Sequence, residues 1–110
     1  MIFENVSLKK YSNYAIGGTA RYFCHAEGLH HITHAVAFAQ KKNIPLFILG
    51  GGTNILFDDK KFEGLVVKPD IRFISVASAL PETVAVTCGA GVPVYDLLAL
   101  CATEGFSGLE

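Results

Sequence analysis

Leu29, Ile32, Ala35, Val36 and Ala39 follow one another at spacings of three, three, one and three, which places them on one helical face and predicts a helix over 28–42. Asn43 follows, and Pro45 opens Leu46-Phe47-Ile48-Leu49, a short, wholly apolar run of the kind buried on both faces of a sheet. The β-branched and aromatic runs Leu65-Val66-Val67, Phe73-Ile74-Ser75-Val76 and Thr83-Val84-Ala85-Val86-Thr87 predict three more strands. They are separated by the turn formers Pro69-Asp70 and Pro81-Glu82. Helical spacing returns at Val94, Leu97, Leu98 and Cys101, and Gly105 stands where a left-handed C-terminal cap belongs. An alternating apolar stretch also follows Gly17-Gly18, with His25 read as a strand-end residue. Helices on either side of neighbouring strands predict an α+β fold, a small sheet with two covering helices, without strict βαβ alternation.

Composition narrows the function classes. The 110 residues fit one compact domain, and 51% apolar against 17% charged residues is enough to bury a core. A formal net charge of -1 offers no electrostatic footprint for nucleic acid. Three cysteines without close spacing make neither a disulfide framework nor a zinc site, so free thiols in a reducing compartment are expected. The N-terminus lacks the basic and apolar regions of a secretory signal, and no apolar run approaches the ~20 residues of a membrane span. A cytoplasmic protein without a membrane segment is the expectation. Ser107-Gly108-Leu109-Glu110 ends the chain directly after a helix, as a fragment of a longer protein would.

The densest chemical signal is Leu49-Gly50-Gly51-Gly52-Thr53-Asn54-Ile55-Leu56, three glycines directly after a strand. Without Cβ atoms, successive backbone N–H groups can converge into a concave nest for an anion such as a pyrophosphate. Thr53 can add a hydroxyl and Asn54 a carboxamide. Each hydrogen bond to a charged group contributes about 1.5–3 kcal/mol, so several make an anchor without completing a binding site. The same residues also suit a tight surface turn, and neither a P-loop ending nor G-x-G-x-x-G is present. Gly17-Gly18 and Gly89-Ala90-Gly91 are ordinary turns taken singly. Together, three small-residue loops at strand ends would admit a large planar or phosphorylated ligand.

These loops carry a resemblance. Tyr11-Ser12-Asn13-Tyr14-Ala15-Ile16-Gly17-Gly18-Thr19-Ala20, Ile48 to Leu56, Gly64-Leu65-Val66-Val67, Cys88-Gly89-Ala90-Gly91-Val92 and Gly105-Phe106-Ser107-Gly108-Leu109-Glu110 resemble, in order and spacing, the UDP-N-acetylenolpyruvoylglucosamine reductase family. Ser12-Asn13 stands where that family usually has Asn-Thr. The resemblance implies a cytoplasmic FAD enzyme of peptidoglycan synthesis, with NADPH as reductant and a UDP-sugar as substrate. It implies the first subdomain of an FAD-binding domain of the vanillyl-alcohol oxidase (PCMH) type, so that residues 1–110 form a partial domain. The cofactor pyrophosphate then falls to Gly50, Gly51, Gly52, Thr53, Asn54 and Ile55, and Gly89, Ala90 and Gly91 join the cofactor site. The second flavin loop and the substrate domain, with its serine proton donor and arginine and glutamate helpers, belong beyond residue 110, so no catalytic residue is expected here. With roughly half of the cofactor contacts elsewhere, the chain alone is expected to retain FAD weakly or not at all.

Other residues read as structural. His30, His31 and His34, near Glu27, offer no ligand from a second element, so they are taken as a solvated helix face and no metal is expected. Cys24, Cys88 and Cys101 fall in apolar patterns as small buried hydrophobes, Cys88 alone having a helix N-terminus within reach to activate it. Asp58-Asp59-Lys60-Lys61 is a surface turn, Lys68 and Arg72 are solvent-facing strand ends, and Tyr14 is a packing residue. Two other readings stay open, a non-enzymatic nucleotide- or phosphate-binding module and a structural α+β domain whose glycine loops are only turns. A response to FAD but not to riboflavin separates the diphosphate readings from the structural one.

Overall fold

Each helix and strand expected from the pattern is found in the computed structural model, which describes residues 1–12, 14, 17–52 and 58–109. Two strands precede them. Among the described residues the order is β1 (Ile2–Ser7), β2 (Thr19–Ala26), α1 (Leu29–Lys42), β3 (Leu46–Ile48), β4 (Phe62–Pro69), β5 (Ile74–Leu80), β6 (Thr83–Cys88) and α2 (Val94–Glu104). Contacts divide them into two compact units, Met1–Asp70 and Ile71–Glu110.

The first unit is a four-stranded sheet in the order β1-β2-β4-β3. β1 runs antiparallel to β2, whereas β2, β4 and β3 are mutually parallel. Parallel strands need a crossover, and α1 supplies it between β2 and β3, leaving room for β4 to enter between them. One βαβ step is therefore present in a chain that shows no strict alternation. β2 and β4 are central and bury both faces. Tyr22, Cys24, Ala26, Leu65 and Val67 pack under α1, while Phe23, Val66, Ala20, Leu8 and Leu49 form a second cluster. Ala20 and Tyr22 have the same parity yet belong to different clusters, because the β2–β4 register shifts between them. A bulge of this kind moves every later side chain to the other face.

α1 buries Ala35 and Ala39, with Ile32 and Phe38 against the same cluster. Leu29, at 72% exposed, and Val36 were expected on this face and lie off it. Phe38 takes part in the contact face instead, its ring meeting Tyr22 edge-on at a centroid distance of 5.0 Å. Asn43 closes the helix in the left-handed conformation (φ 52°), its N–H donating to Gln40 O.

β3 differs from its expected place. Among the described residues it is an edge strand pairing only with β4, and Phe47 and Ile48 are exposed. Its apolar run is thus not sandwiched within this unit. Pro69-Asp70, expected to turn, extends the ladder instead. Pro69 pairs with Ala26, and the ordinary parallel bond from Asp70 N–H to Ala26 O, 2.7 Å, carries the ladder past the proline without calling on its missing N–H.

In the second unit β5 and β6 form an antiparallel hairpin around the expected Pro81-Glu82 turn. α2 ends as expected at Gly105 in the left-handed conformation (φ 74°), with Phe106 N–H donating to Cys101 O at 2.8 Å. Described with its own unit, α2 buries none of its residues.

Candidate functional site

The parallel strands β2, β4 and β3 end along one edge of the sheet, with Ala26 beside Pro69 and Ile48 beside Val67. Ligands of open α/β sheets gather outside such carboxyl ends. Leu49 is still tied to the sheet, its N–H donating to Val67 O at 2.8 Å. The three glycines begin there. Among the described residues, no backbone carbonyl accepts from the N–H groups of Gly50, Gly51 or Gly52.

The three glycines have different physical duties. A Cβ on Gly50 or Gly51 would meet nothing within 4 Å, and both residues are exposed. Gly52 is buried at φ 78°, and a Cβ there would run into the carbonyl of Tyr11. The fold itself accounts for Gly52. It gives no reason for Gly50 and Gly51, which form an open, unobstructed stretch of backbone at the sheet edge. Such backbone fits a ligand that must come close to main-chain amides, and a diphosphate is one.

Gly18, of the preceding glycine pair, is packed against the same loop. A Cβ on Gly18 would strike the carbonyl of Lys60, with those of Asp58 and Asp59 at 2.8 Å. The segment before β2 therefore touches the glycine loop twice, through Tyr11 against Gly52 and through Gly18 against 58–60. Tyr11 is held by its stack on Phe23, 4.8 Å between centroids, and Gly18 O accepts from Leu8 N–H at 2.9 Å. Asp58 shapes the far side by accepting from Lys60 N–H at 2.9 Å, as the expected turn requires. Thr53, Asn54 and Ile55 lie outside the described residues.

Gly89, Ala90 and Gly91 belong to the second unit. They link β6 to α2 as expected, with Gly89 N–H donating to Phe73 O at 3.0 Å and Gly91 N–H to Ile71 O at 2.9 Å. Gly89 is buried close against the Ile71 carbonyl, so its missing side chain already serves the unit's own packing.

Lys68 was read as a solvent-facing strand end, and the structure gives it a partner. Its ammonium donates to Gly50 O at 2.9 Å. Parallel pairing explains the contact, since Lys68 follows the Val67 that pairs with Ile48, and one strand's lysine comes alongside the other's glycines. Reading the two apolar runs as parallel neighbours would have exposed this pairing. Nearby, His25 Nε2 donates to Asp70 Oδ2 at 3.0 Å, joining the ends of β2 and β4.

Other residues depart from their expected roles. Tyr14, expected to pack, is 56% exposed. Cys24 is buried as expected, but Cys88 is exposed and Cys101 partly so, and all three are free thiols. Burial pushes the Cys24 thiol above its ordinary range. On α1, Thr33 Oγ1 donates to His30 O at 3.0 Å, while His31 Nδ1 accepts from Glu27 N–H at 3.2 Å. Desolvation, followed by the adjacent His30, holds the His31 imidazole below its ordinary value, which favours the neutral acceptor. Among the described residues, no helix is long and apolar enough to cross a membrane.

Comparison with known proteins agrees with this geometry. The chain is 34% identical over 108 residues to the UDP-N-acetylenolpyruvoylglucosamine reductase of Treponema pallidum (strain Nichols), covering 97% of this chain and 30% of that protein. It is 36% identical over 104 residues to UDP-N-acetylenolpyruvoylglucosamine reductase 1 of Corynebacterium glutamicum, covering 94% and 30%. To the Protochlamydia amoebophila protein of the same name it is 35% identical over 106 residues, covering 96% and 34%. The chain thus spans about a third of the length of the curated relatives it matches. Residues 20–110, from the start of β2 through α2, match the family described as FAD binding domain. With an open glycine stretch at the sheet edge and a family match over most of its length, this chain belongs to the FAD binding domain family, whose cofactor is FAD.

Proposed function

We propose that this chain is the N-terminal, FAD-binding part of a flavoprotein reductase that uses NADPH to reduce UDP-N-acetylglucosamine enolpyruvate to UDP-N-acetylmuramate in cytoplasmic peptidoglycan synthesis. The observation that carries the reading is the split between Gly52, which the fold requires, and Gly50 and Gly51, which stand open at the edge of a parallel sheet. The reductase-like relatives support the same reading over 97% of the chain.

In this reading the amides of Gly50, Gly51 and Gly52, with Thr53, Asn54 and Ile55, hold the FAD diphosphate. Gly89, Ala90 and Gly91 contribute a second contact to the cofactor. The arrangement is the first subdomain of a PCMH-type flavin domain. Bound FAD supplies the hydride-transfer chemistry of such a reductase. The chain's own residues bind and orient. Tyr11 packs against Gly52 and Gly18 against 58–60, so the loop is held at these two places before the cofactor arrives, which lowers the entropic cost of binding.

Titration of the chain with FAD, ADP and riboflavin tests the reading. FAD and ADP are expected to perturb the glycine-loop amides, and riboflavin, which lacks the diphosphate, is not. Equal responses to FAD and riboflavin, or none to either, would count against it. For the reductase activity, the intact gene product is assayed for NADPH oxidation that depends on UDP-N-acetylglucosamine enolpyruvate. Diphosphate binding without such turnover would instead favour the non-enzymatic nucleotide-binding module.

A further inference from the structure

We infer that Lys68 is a positioning residue for the diphosphate site, acting through the Gly50–Gly51 peptide rather than by touching the ligand. This rests on the reading of the glycine loop as the FAD diphosphate site. The Lys68 ammonium donates to Gly50 O at 2.9 Å, from the strand that pairs with β3. A peptide unit is planar and trans, so its N–H points opposite to its C=O. Fixing the Gly50 carbonyl toward Lys68 therefore turns the Gly51 N–H to the far side of the same plane. Gly51 is exposed, and the space beside its α-carbon is open.

Without that tether, little selects one orientation of the Gly50–Gly51 peptide, since a glycine samples positive and negative φ about equally and packing pins only Gly52. A lysine on the carbonyl selects one. It also polarises the peptide, because an acceptor engaged by a cation makes the N–H on the other end of the unit a better donor. The loop brings its own backbone donors, and Lys68 decides the direction in which one of them points. Its ammonium sits on the opposite side of the peptide from the amide it orients, which separates this role from that of a direct counter-charge.

The test uses 15N-labelled chain with Lys68→Met, which keeps the aliphatic stem, and Lys68→Arg, which keeps a cationic donor. Lys68→Gln carries the same readout should the methionine variant fail to fold. In the ligand-free Lys68→Met variant the Gly51 amide resonance is expected to shift, with strand resonances of β2 and β4 unchanged. FAD and ADP affinity should fall about tenfold, the loss of one charge-assisted hydrogen bond, while Lys68→Arg stays within about threefold of wild type. Wild type that discriminates FAD from riboflavin, with Lys68→Met binding FAD equally well, overturns the role of Lys68 alone. An unmoved Gly51 resonance overturns it too. Wild type that does not discriminate overturns the diphosphate site, and the positioning role with it.

Discussion

Gly52 rests against the main-chain carbonyl of Tyr11, at φ 78°, in the place that a Cβ would fill. The contact joins the segment before β2 to the loop after β3, two parts of the chain about forty residues apart in sequence. It makes one of three adjacent glycines a structural necessity and leaves the other two without a packing reason.

Gly52→Ala is expected to destabilise the chain by about 2–4 kcal/mol, combining left-handed backbone strain with overlap at the Tyr11 carbonyl. Gly50→Ala and Gly51→Ala, in open space, should change stability by no more than about 0.5 kcal/mol. Urea unfolding of the three variants measures both. A comparable loss at all three positions would show that the glycines share one structural duty.

Phe38→Ala should cost about 2–3 kcal/mol, below the full range for a wholly buried phenylalanine because its ring is only partly covered. Leu29→Ala should be neutral to within about 0.5 kcal/mol. Thermal or urea denaturation distinguishes them. The reverse order would place the contact face of α1 where the sequence pattern alone put it.

The Cys24 thiol, raised by burial, links folding to alkaline pH. The folded state holds this proton more tightly than the unfolded chain. Its stabilisation is therefore complete below the ordinary thiol value of 9.0 and is lost as pH rises through the higher folded value. Stability should fall above about pH 9, and less steeply in Cys24→Ala. With a thiol reagent at neutral pH, Cys88 should react first and Cys24 only on unfolding.

His31 has the opposite sign. Its folded value lies below the ordinary 6.5, so its contribution is present above 6.5 and is lost as pH falls through the folded value. Protonation removes the acceptor for Glu27 N–H at the start of α1. The difference in stability between wild type and His31→Gln should shrink below pH 6.5. A difference independent of pH would assign the effect to packing.

Much of the first unit was legible because local rules suffice there. The 28–42 periodicity, the apolar run at 46–49 and the glycines after it each report their own conformation. β1 was not legible, since Ile2-Phe3-Glu4-Asn5-Val6-Ser7 has little alternation and one residue, Asn5, at positive φ. Neither was the register shift between Ala20 and Tyr22, because such a shift exists only between two strands and leaves no mark on one. Lys68 looked like any solvated strand end until parallel pairing set it beside Gly50.

Outside β1 and Pro69, the order of apolar runs, turn formers and glycines in this chain determined which segments become helix, strand and loop, because backbone preference and side-chain period act over a few residues. The tertiary structure decided what those segments do to one another. It made β3 an edge, rotated α1 toward Phe38, gave Gly52 to the fold and Gly50 and Gly51 to the open rim, and turned a surface lysine onto a glycine carbonyl. Each of these depends on contacts between distant parts of the chain, and such contacts are set by packing and register, which no local pattern contains.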